Sequence, residues 1–384
     1  MGTMPAVKEP KAKLLKLDVR GFKSIRDQSL TLSNLDVLIG ANGAGKSNLI
    51  AFLRMISFML SSDAGLAGFV ARAGGANLLL YNGSKQTREI EGSLCVETLQ
   101  GRNEYMFRLG YAAGDTFVFL DEKCRFSASA STTPNRWIEF GAGHRAPQIL
   151  KARDGESGRT RRTILKLLQG LSVYQFHDTS DAALVKQRQP LSDNGYLKSD
   201  ARNLAPFLLG MRDREPEYYQ RLVKMIRLLA PFLEDFILDA EFDTVLLNWR
   251  DKTSGMSFGP AQLSDGTVRV IALLALLMQP PKNMPQILVL DEPELGLHPY
   301  AIHMVAGAIK AASQTNQCLI ATQSPALLNE LSAENVLVAE RHDDGSHFRR
   351  LDSMQLASWL EDYELSELWD MNLLGGRPGQ IAAE

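Results

Sequence analysis

Cysteine is scarce: Cys95, Cys124 and Cys318 are the three in 384 residues, far apart and without a CxxC pair. No histidine pair stands at ligand spacing either, so neither a disulfide framework nor a structural zinc site is implied, and a reducing cytoplasm fits. Long apolar runs are also lacking. The two most apolar stretches, LIAFLRMISFML (49–60, broken by Arg54) and VIALLALLM (270–278), are too short to cross a bilayer and read as buried helices, so no membrane partner is expected. The leading MGTMPAVKEPKAK has no apolar core of a secretory signal. Neither sign of charge is in excess: 42 basic against 44 acidic residues give a net charge of -2, which excludes wholesale coating of nucleic acid but not a local basic patch. Internal repeats, low-complexity tracts and heptads are missing too.

Set against these absences is a phosphate-binding pattern. The alternating LLKLDVRGFKSI and the apolar LDVLIG lead as strands into GANGAGKS (40–47), which matches GxxxxGK[ST] and is followed by an apolar helix. A cradle of Asn42, Gly43, Ala44 and Gly45, with Asn48 just inside the helix, lets backbone N–H groups face phosphate oxygens while the helix N-terminus adds positive potential. Lys46 reaches the β- and γ-phosphates, and Ser47 offers a hydroxyl to Mg²⁺.

Far downstream, QILVLDEPE delivers a carboxylate pair at the end of a buried strand. Asp291 is placed to hold Mg²⁺ and Glu292 to polarise an attacking water. Between the two motifs stands LSDGT (263–267), which opens an apolar helix. By its residues it is either a helix cap and turn, or a second anion site made by the Ser264 hydroxyl, the Gly266 backbone and the helix dipole.

The rest divides by texture. Residues 88–140 carry short β-like runs of an antiparallel sheet, 179–235 turn helical with a break at Pro231, and the last third returns to α/β with a hairpin around Asp344 and Gly345. Three consecutive segments are therefore expected: 12–178 and 236–384 as the two halves of one phosphate-binding α/β domain, and 179–235 as a helical lobe inserted between them.

With these motifs in place, the chain resembles the ABC-type ATPases of the RecF, SMC and OLD branch, over essentially its whole length. The resemblance implies an α/β fold: an ABC-type P-loop ATPase with a mixed sheet, an antiparallel β subdomain and a helical lobe. It implies ATP and Mg²⁺ as cofactors, and LSDGT as the counterpart of an LSGGQ-like signature that closes over the γ-phosphate held by a second copy, hence a homodimer with composite ATP sites. RGFKSI (20–25) is similar to the strand end beside the adenine, making Phe22, Lys23 and Ser24 base or ribose candidates. ELGLHP (294–299) resembles the loop after the acids, with His298 either near the subunit boundary or capping the next helix. Gln86, after Arg72 in ARAGGANLLLYNGSKQ, occupies the place of the glutamine that approaches Mg²⁺, and Gln175 in VYQFHDTS is its rival, with His177 and Asp178 nearby. ATQSP puts Gln323 where relatives carry a switch histidine. Glutamine has no titratable proton, so γ-phosphate sensing is expected to survive and turnover to be slow.

By analogy, the output is expected to be a signal to a separate effector protein, as in prokaryotic anti-phage systems. The alternative is a RecF-like protein that binds DNA in repair or maintenance, using Arg145, Lys151, Arg153, Arg159, Arg161, Arg162 and Lys166 on phosphates. A transport ATPase fits less well, since a switch histidine and a coupling helix are missing. SMC-like coiled-coil arms and an OLD-like nuclease domain find no room in the chain.

Overall fold

The computed structural model describes residues 12–129, 135–151 and 158–376. Two compact units emerge. The first comprises residues 1–34, 42–171 and 339–349, the second residues 35–41, 172–338 and 350–384.

The first unit is built on an antiparallel sheet with strand order β2-β1-β4-β5-β6-β7. Its strands are β1 (Lys13–Phe22), β2 (Ile25–Thr31), β4 (Glu89–Thr98), β5 (Gly101–Ala112), β6 (Thr116–Ala128) and β7 (Ile138–Glu139). Alternation in β4 and β5 puts every second residue on a dry face, as a half-buried pleated sheet requires. Helices α1 (Lys46–Met59), α2 (Gly65–Arg72) and α3 (Gly158–Gln169) belong to this unit. Phe52 of α1 is fully buried between Phe22 and Phe107, ring centroids 5.2 and 6.4 Å away, which seats the helix on that face.

The second unit contains a largely parallel sheet. β3 (Leu35–Ile39), β14 (Ile287–Asp291) and β15 (Gln317–Ala321) are its centre, with β16 (Val336–His342) beside β3 and β8 (Leu171–Tyr174) beside β14. The apolar residues of the central strands are buried throughout, because helices cover both faces of such a sheet. β16 begins in this unit and runs on into the first, where it turns into β17 (Gly345–Arg350), the hairpin expected at Asp344 and Gly345.

Around that sheet lie α4 (Leu204–Arg214), α5 (Pro216–Leu229), α6 (Asp265–Leu277), α7 (Pro299–Ser313), α8 (Pro325–Asn329) and α9 (Leu365–Asp370). Two small antiparallel pieces join β9 (Gln189–Pro190) to β11 (Thr244–Val245), and β10 (Leu233–Ile237) to β12 (Asn248–Asp251) and β13 (Ser257–Phe258). Residues 179–235, expected as a lobe of their own, fall within this unit. Leu204, Leu208, Tyr219, Leu222, Val223 and Ile226 are buried in the same hydrophobic cluster as Leu273 of α6 and Leu288 of β14. No helix among the described residues is long and apolar enough to cross a membrane.

Candidate functional site

In the first unit the phosphate loop is shaped by glycine. Gly43 and Gly45 have φ of 81° and 113°, a region that residues with a Cβ rarely enter. A Cβ on Gly45 would lie 2.2 Å from the Ser346 hydroxyl, so this position is closed sterically as well. Gly43 faces open space. Ala44 and Gly45 are buried, Asn42 and Ser47 exposed, and Lys46 opens α1 with a side chain that is largely buried. Asn48 Nδ2 donates to Ser24 Oγ at 2.6 Å, and Ser24 Oγ lies 2.7 Å from Ser346 Oγ. The RGFKSI turn thus braces the start of α1. Lys23 has φ 47°, and its amine is held below its ordinary pKa by burial, then by Arg54. Phe22, expected beside the base, is instead a core residue: it is fully buried against Phe52 and has no face to offer a ligand.

The acidic centre belongs to the second unit. Asp291 ends β14 in register with Ala321 of β15, and the Glu292 N–H donates to the Ala321 carbonyl at 2.8 Å. Glu292 itself sits at φ 48°, a left-handed conformation costing about 1 kcal/mol or more for a residue with a Cβ. Gln323, just past β15, donates from Nε2 to Glu292 Oε1 at 2.7 Å. Gln175, just past β8, has Nε2 3.2 Å from His177 Nδ1 and 3.5 Å from Asp291 Oδ2. Of the two rival glutamines, Gln175 is therefore the one the fold carries to the aspartate. Gln86 lies in the first unit, lining a cleft of about 490 Å³ with Arg20, Arg26, Tyr81 and Glu89. Its expected place at the metal has a physical competitor: β8 is the sheet neighbour of β14, so any residue after β8 emerges beside Asp291.

A second acid, Glu294, accepts from Thr322 Oγ1 at 2.5 Å and from the Gln323 N–H at 3.4 Å. Burial pushes its carboxyl above the usual range, against the pull of those bonds, and its Oε2 is buried without a partner among the described residues.

LSDGT behaves as a helix start. Ser264 caps α6 by accepting from the Thr267 N–H at 3.2 Å. Gly266 is needed for packing: a Cβ there would approach the Gly296 carbonyl to 2.7 Å. One turn on, the largely buried Arg269 donates to Phe176 O at 2.7 Å, His177 O at 3.1 Å, Thr179 Oγ1 at 3.2 Å and Leu295 O. Burial lowers its pKa first, opposed by Asp265. One guanidinium thereby ties the segment after Gln175, α6 and the ELGLHP loop. Sequence reasoning missed it, because an arginine in an apolar helix reads as a surface charge. His298 caps α7, accepting from the Tyr300 N–H through Nδ1 at 3.3 Å.

Of the basic segment, Arg159, Arg162 and Lys166 are exposed at helical spacing along one face of α3, and Arg145 is exposed. Lys151 pairs with Asp63 at 3.0 Å, Arg161 donates to the carbonyls of Ile149 and Leu150, and Arg153 lies outside the described residues. Arg72 stacks on Phe58, its guanidinium 4.3 Å from the ring centroid. Unforeseen in the sequence is Glu122, fully buried in β6. Its two oxygens accept from Tyr105 OH and the Ile149 N–H, and from the Gln148 N–H, with His144 Nε2 2.8 Å away.

Comparison with known proteins places this geometry. Residues 37–329 match the family described as "AAA domain, putative AbiEii toxin, Type IV TA system". A 64-residue stretch is 39% identical to structural maintenance of chromosomes protein 1 of Arabidopsis thaliana, covering 16% of this chain and 5% of that protein's length. Among solved structures, an SMC head bound to the C-terminal winged-helix domain of ScpA is similar with a TM-score of 0.58 at 17% identity, over 90% of this chain and 99% of that one. The Pyrococcus furiosus SMC head with an extended coiled coil, bound to the C-terminal domain of ScpA, gives 0.54 at 15% identity over 91% and 99%. Those likenesses establish the SMC-head fold. With well over half of its length matched, the chain belongs to this AAA domain family, within the ABC-type ATPases of the RecF, SMC and OLD kind.

Proposed function

We propose that the protein hydrolyses ATP in composite sites between two copies of itself, and that the closing and opening of this dimer is read by a separate effector. The observation that carries the reading is the convergence of Gln175, Asp291, Glu292 and Gln323 from three neighbouring strand ends onto one acidic centre. In this scheme Lys46 and the backbone around Gly43 and Gly45 hold the triphosphate. Asp291 and the Gln175 amide, which lie side by side, would offer oxygen donors suited to Mg²⁺, and Ser47 would offer its hydroxyl to the same ion. The ion, when bound, neutralises charge on the β- and γ-phosphates. Glu292 takes the proton of the attacking water, and Gln323 keeps its carboxylate in one orientation.

Ser264 and the α6 N-terminus serve the nucleotide of the other copy. The SMC heads above are bound to domains of ScpA, which supports a partner protein as the recipient of the signal. The family description names a toxin and a toxin–antitoxin system, in line with a role in prokaryotic defence. All three thiols are free.

Phosphate release by a mixture of Lys46→Ala and Ser264→Ala chains tests the scheme. Each alone is expected to be inactive and the mixture to recover activity through one intact site per heterodimer. No recovery would sink the composite site. The exposed Arg159, Arg162 and Lys166 face of α3 favours a second reading, ATP-dependent DNA binding. Salt-sensitive binding of duplex DNA, lost on neutralising these three, would support it.

A further inference from the structure

The signature turn carries a carboxylate where an anion is meant to dock. Asp265 is the first residue of α6, directly after Ser264, and its side chain is 58% exposed. A negative charge there suits the helix dipole, yet it repels any phosphate approaching the same N–H groups. The structure places one cation on it. Lys186, in the short turn Leu184–Lys186, has a side chain only 5% exposed, with Nζ 2.9 Å from Asp265 Oδ1 and 3.4 Å from Asp181 Oδ1. Burying a lysine stem to this extent at the rim of a protein needs compensation, and the two carboxylates supply it.

We infer that Lys186 is a positioning residue of the composite ATP site: by neutralising and pinning Asp265, it leaves the α6 N-terminus with net positive potential toward the γ-phosphate held by the second copy. This rests on the reading of LSDGT as acting in trans. Lys186 itself needs no contact with the nucleotide. The chemistry separates the proposal from a plain cross-link. Removing the lysine leaves Asp265 without its ion pair, opposed only through space by the Arg269 guanidinium among the described residues, whereas removing the carboxylate leaves a cation, so the two substitutions break the same ion pair and move ATP binding in opposite directions. A merely structural pair moves both the same way.

The test uses the full chain carrying Glu292→Gln, to prevent hydrolysis, with ATP-dependent dimerisation followed by sedimentation velocity across ATP concentrations. Adding Lys186→Met is expected to raise the ATP needed for half-dimerisation by about tenfold, the order of one solvent-screened charge near the site. Adding Asp265→Asn is expected to lower it, and the Lys186→Met, Asp265→Asn combination to return within about twofold of the parent. Equal effects of the two single changes, or no recovery in the combination, overturns the role of Lys186. Should Lys186→Met fail to fold, the Asp265→Asn arm decides: weaker ATP response there overturns the inference. A Glu292→Gln parent that stays monomeric with ATP refutes the trans reading instead, and so is told apart.

Discussion

Replacing Gln323 by alanine removes the side chain that donates to Glu292 Oε1. The bond is 2.7 Å long and runs from an amide N–H to a carboxylate. Hydrogen bonds to ionised groups are worth about 1.5–3 kcal/mol when shielded, and Glu292 is partly exposed, so the lower end applies. If the bond holds Glu292 in the orientation that meets the water, its loss of about 1.5 kcal/mol appears in the transition state and lowers kcat roughly tenfold. Phosphate contacts through Lys46 are untouched, so KM for ATP stays level. Gln323→Glu sets a second carboxylate against the first and is expected to fall below the alanine variant. Gln323→His keeps an N–H and adds a titratable proton, and is expected to exceed the parent. Steady-state phosphate release gives kcat and KM for each. An alanine variant with kcat within twofold of the parent, or with a loss confined to KM, refutes the orientation argument.

Gln175→Ala is expected to raise the magnesium concentration for half-maximal turnover while Gln86→Ala leaves it unchanged; a magnesium titration of both decides between the glutamines. Glu122→Gln turns one acceptor oxygen into a donor facing a backbone N–H, that of Ile149 at one oxygen or of Gln148 at the other, at a cost of roughly 3 kcal/mol for a buried charged network; urea unfolding that shows under 1 kcal/mol, far below that figure, would remove Glu122 as an anchor. Glu294 titrates above its ordinary 4.5 in the folded chain because burial disfavours its charge. The folded chain then keeps a proton that the unfolded chain has lost, so this contribution is complete below 4.5 and drains away as pH rises through the lifted value. Glu294→Gln should accordingly melt higher than the parent at pH 8, with the gap narrowing towards pH 4; an equal gap at both would refute the assignment.

The loop and the acid pair were legible because each is contiguous and chemically dense: eight residues around Lys46 and the run ending at Glu292 carry their own context. Gln323 was legible as the polar residue after a buried strand. Gln175 stayed tied with Gln86, because what singles it out is strand order in a sheet, at 116 positions from Asp291 along the chain. Phe22 misled for a related reason. An aromatic at the end of a strand reads as exposed or buried only once the helix above it, with Phe52, is placed. Glu122 gathers donors from residues 105, 144, 148 and 149, and Lys186 meets Asp265 across 79 residues. No local pattern marks such meetings. The 179–235 stretch stands out in the sequence by its helical texture and the break at Pro231, while the buried residues of α4 and α5 belong to the hydrophobic cluster of the second unit.

Gly266 and Gly296 stand face to face with no room for a methyl group between them, and Gly296 in turn abuts the Arg269 guanidinium. Two loops that touch through bare backbone behave like meshed gear teeth. At Gly266 the LSDGT turn meets the Gly296 carbonyl of the ELGLHP loop directly, so neither can rotate there without pushing the other. A larger residue at Gly266 therefore jams both loops at once, so an inactive Gly266 variant speaks to their mechanical union before it speaks to phosphate.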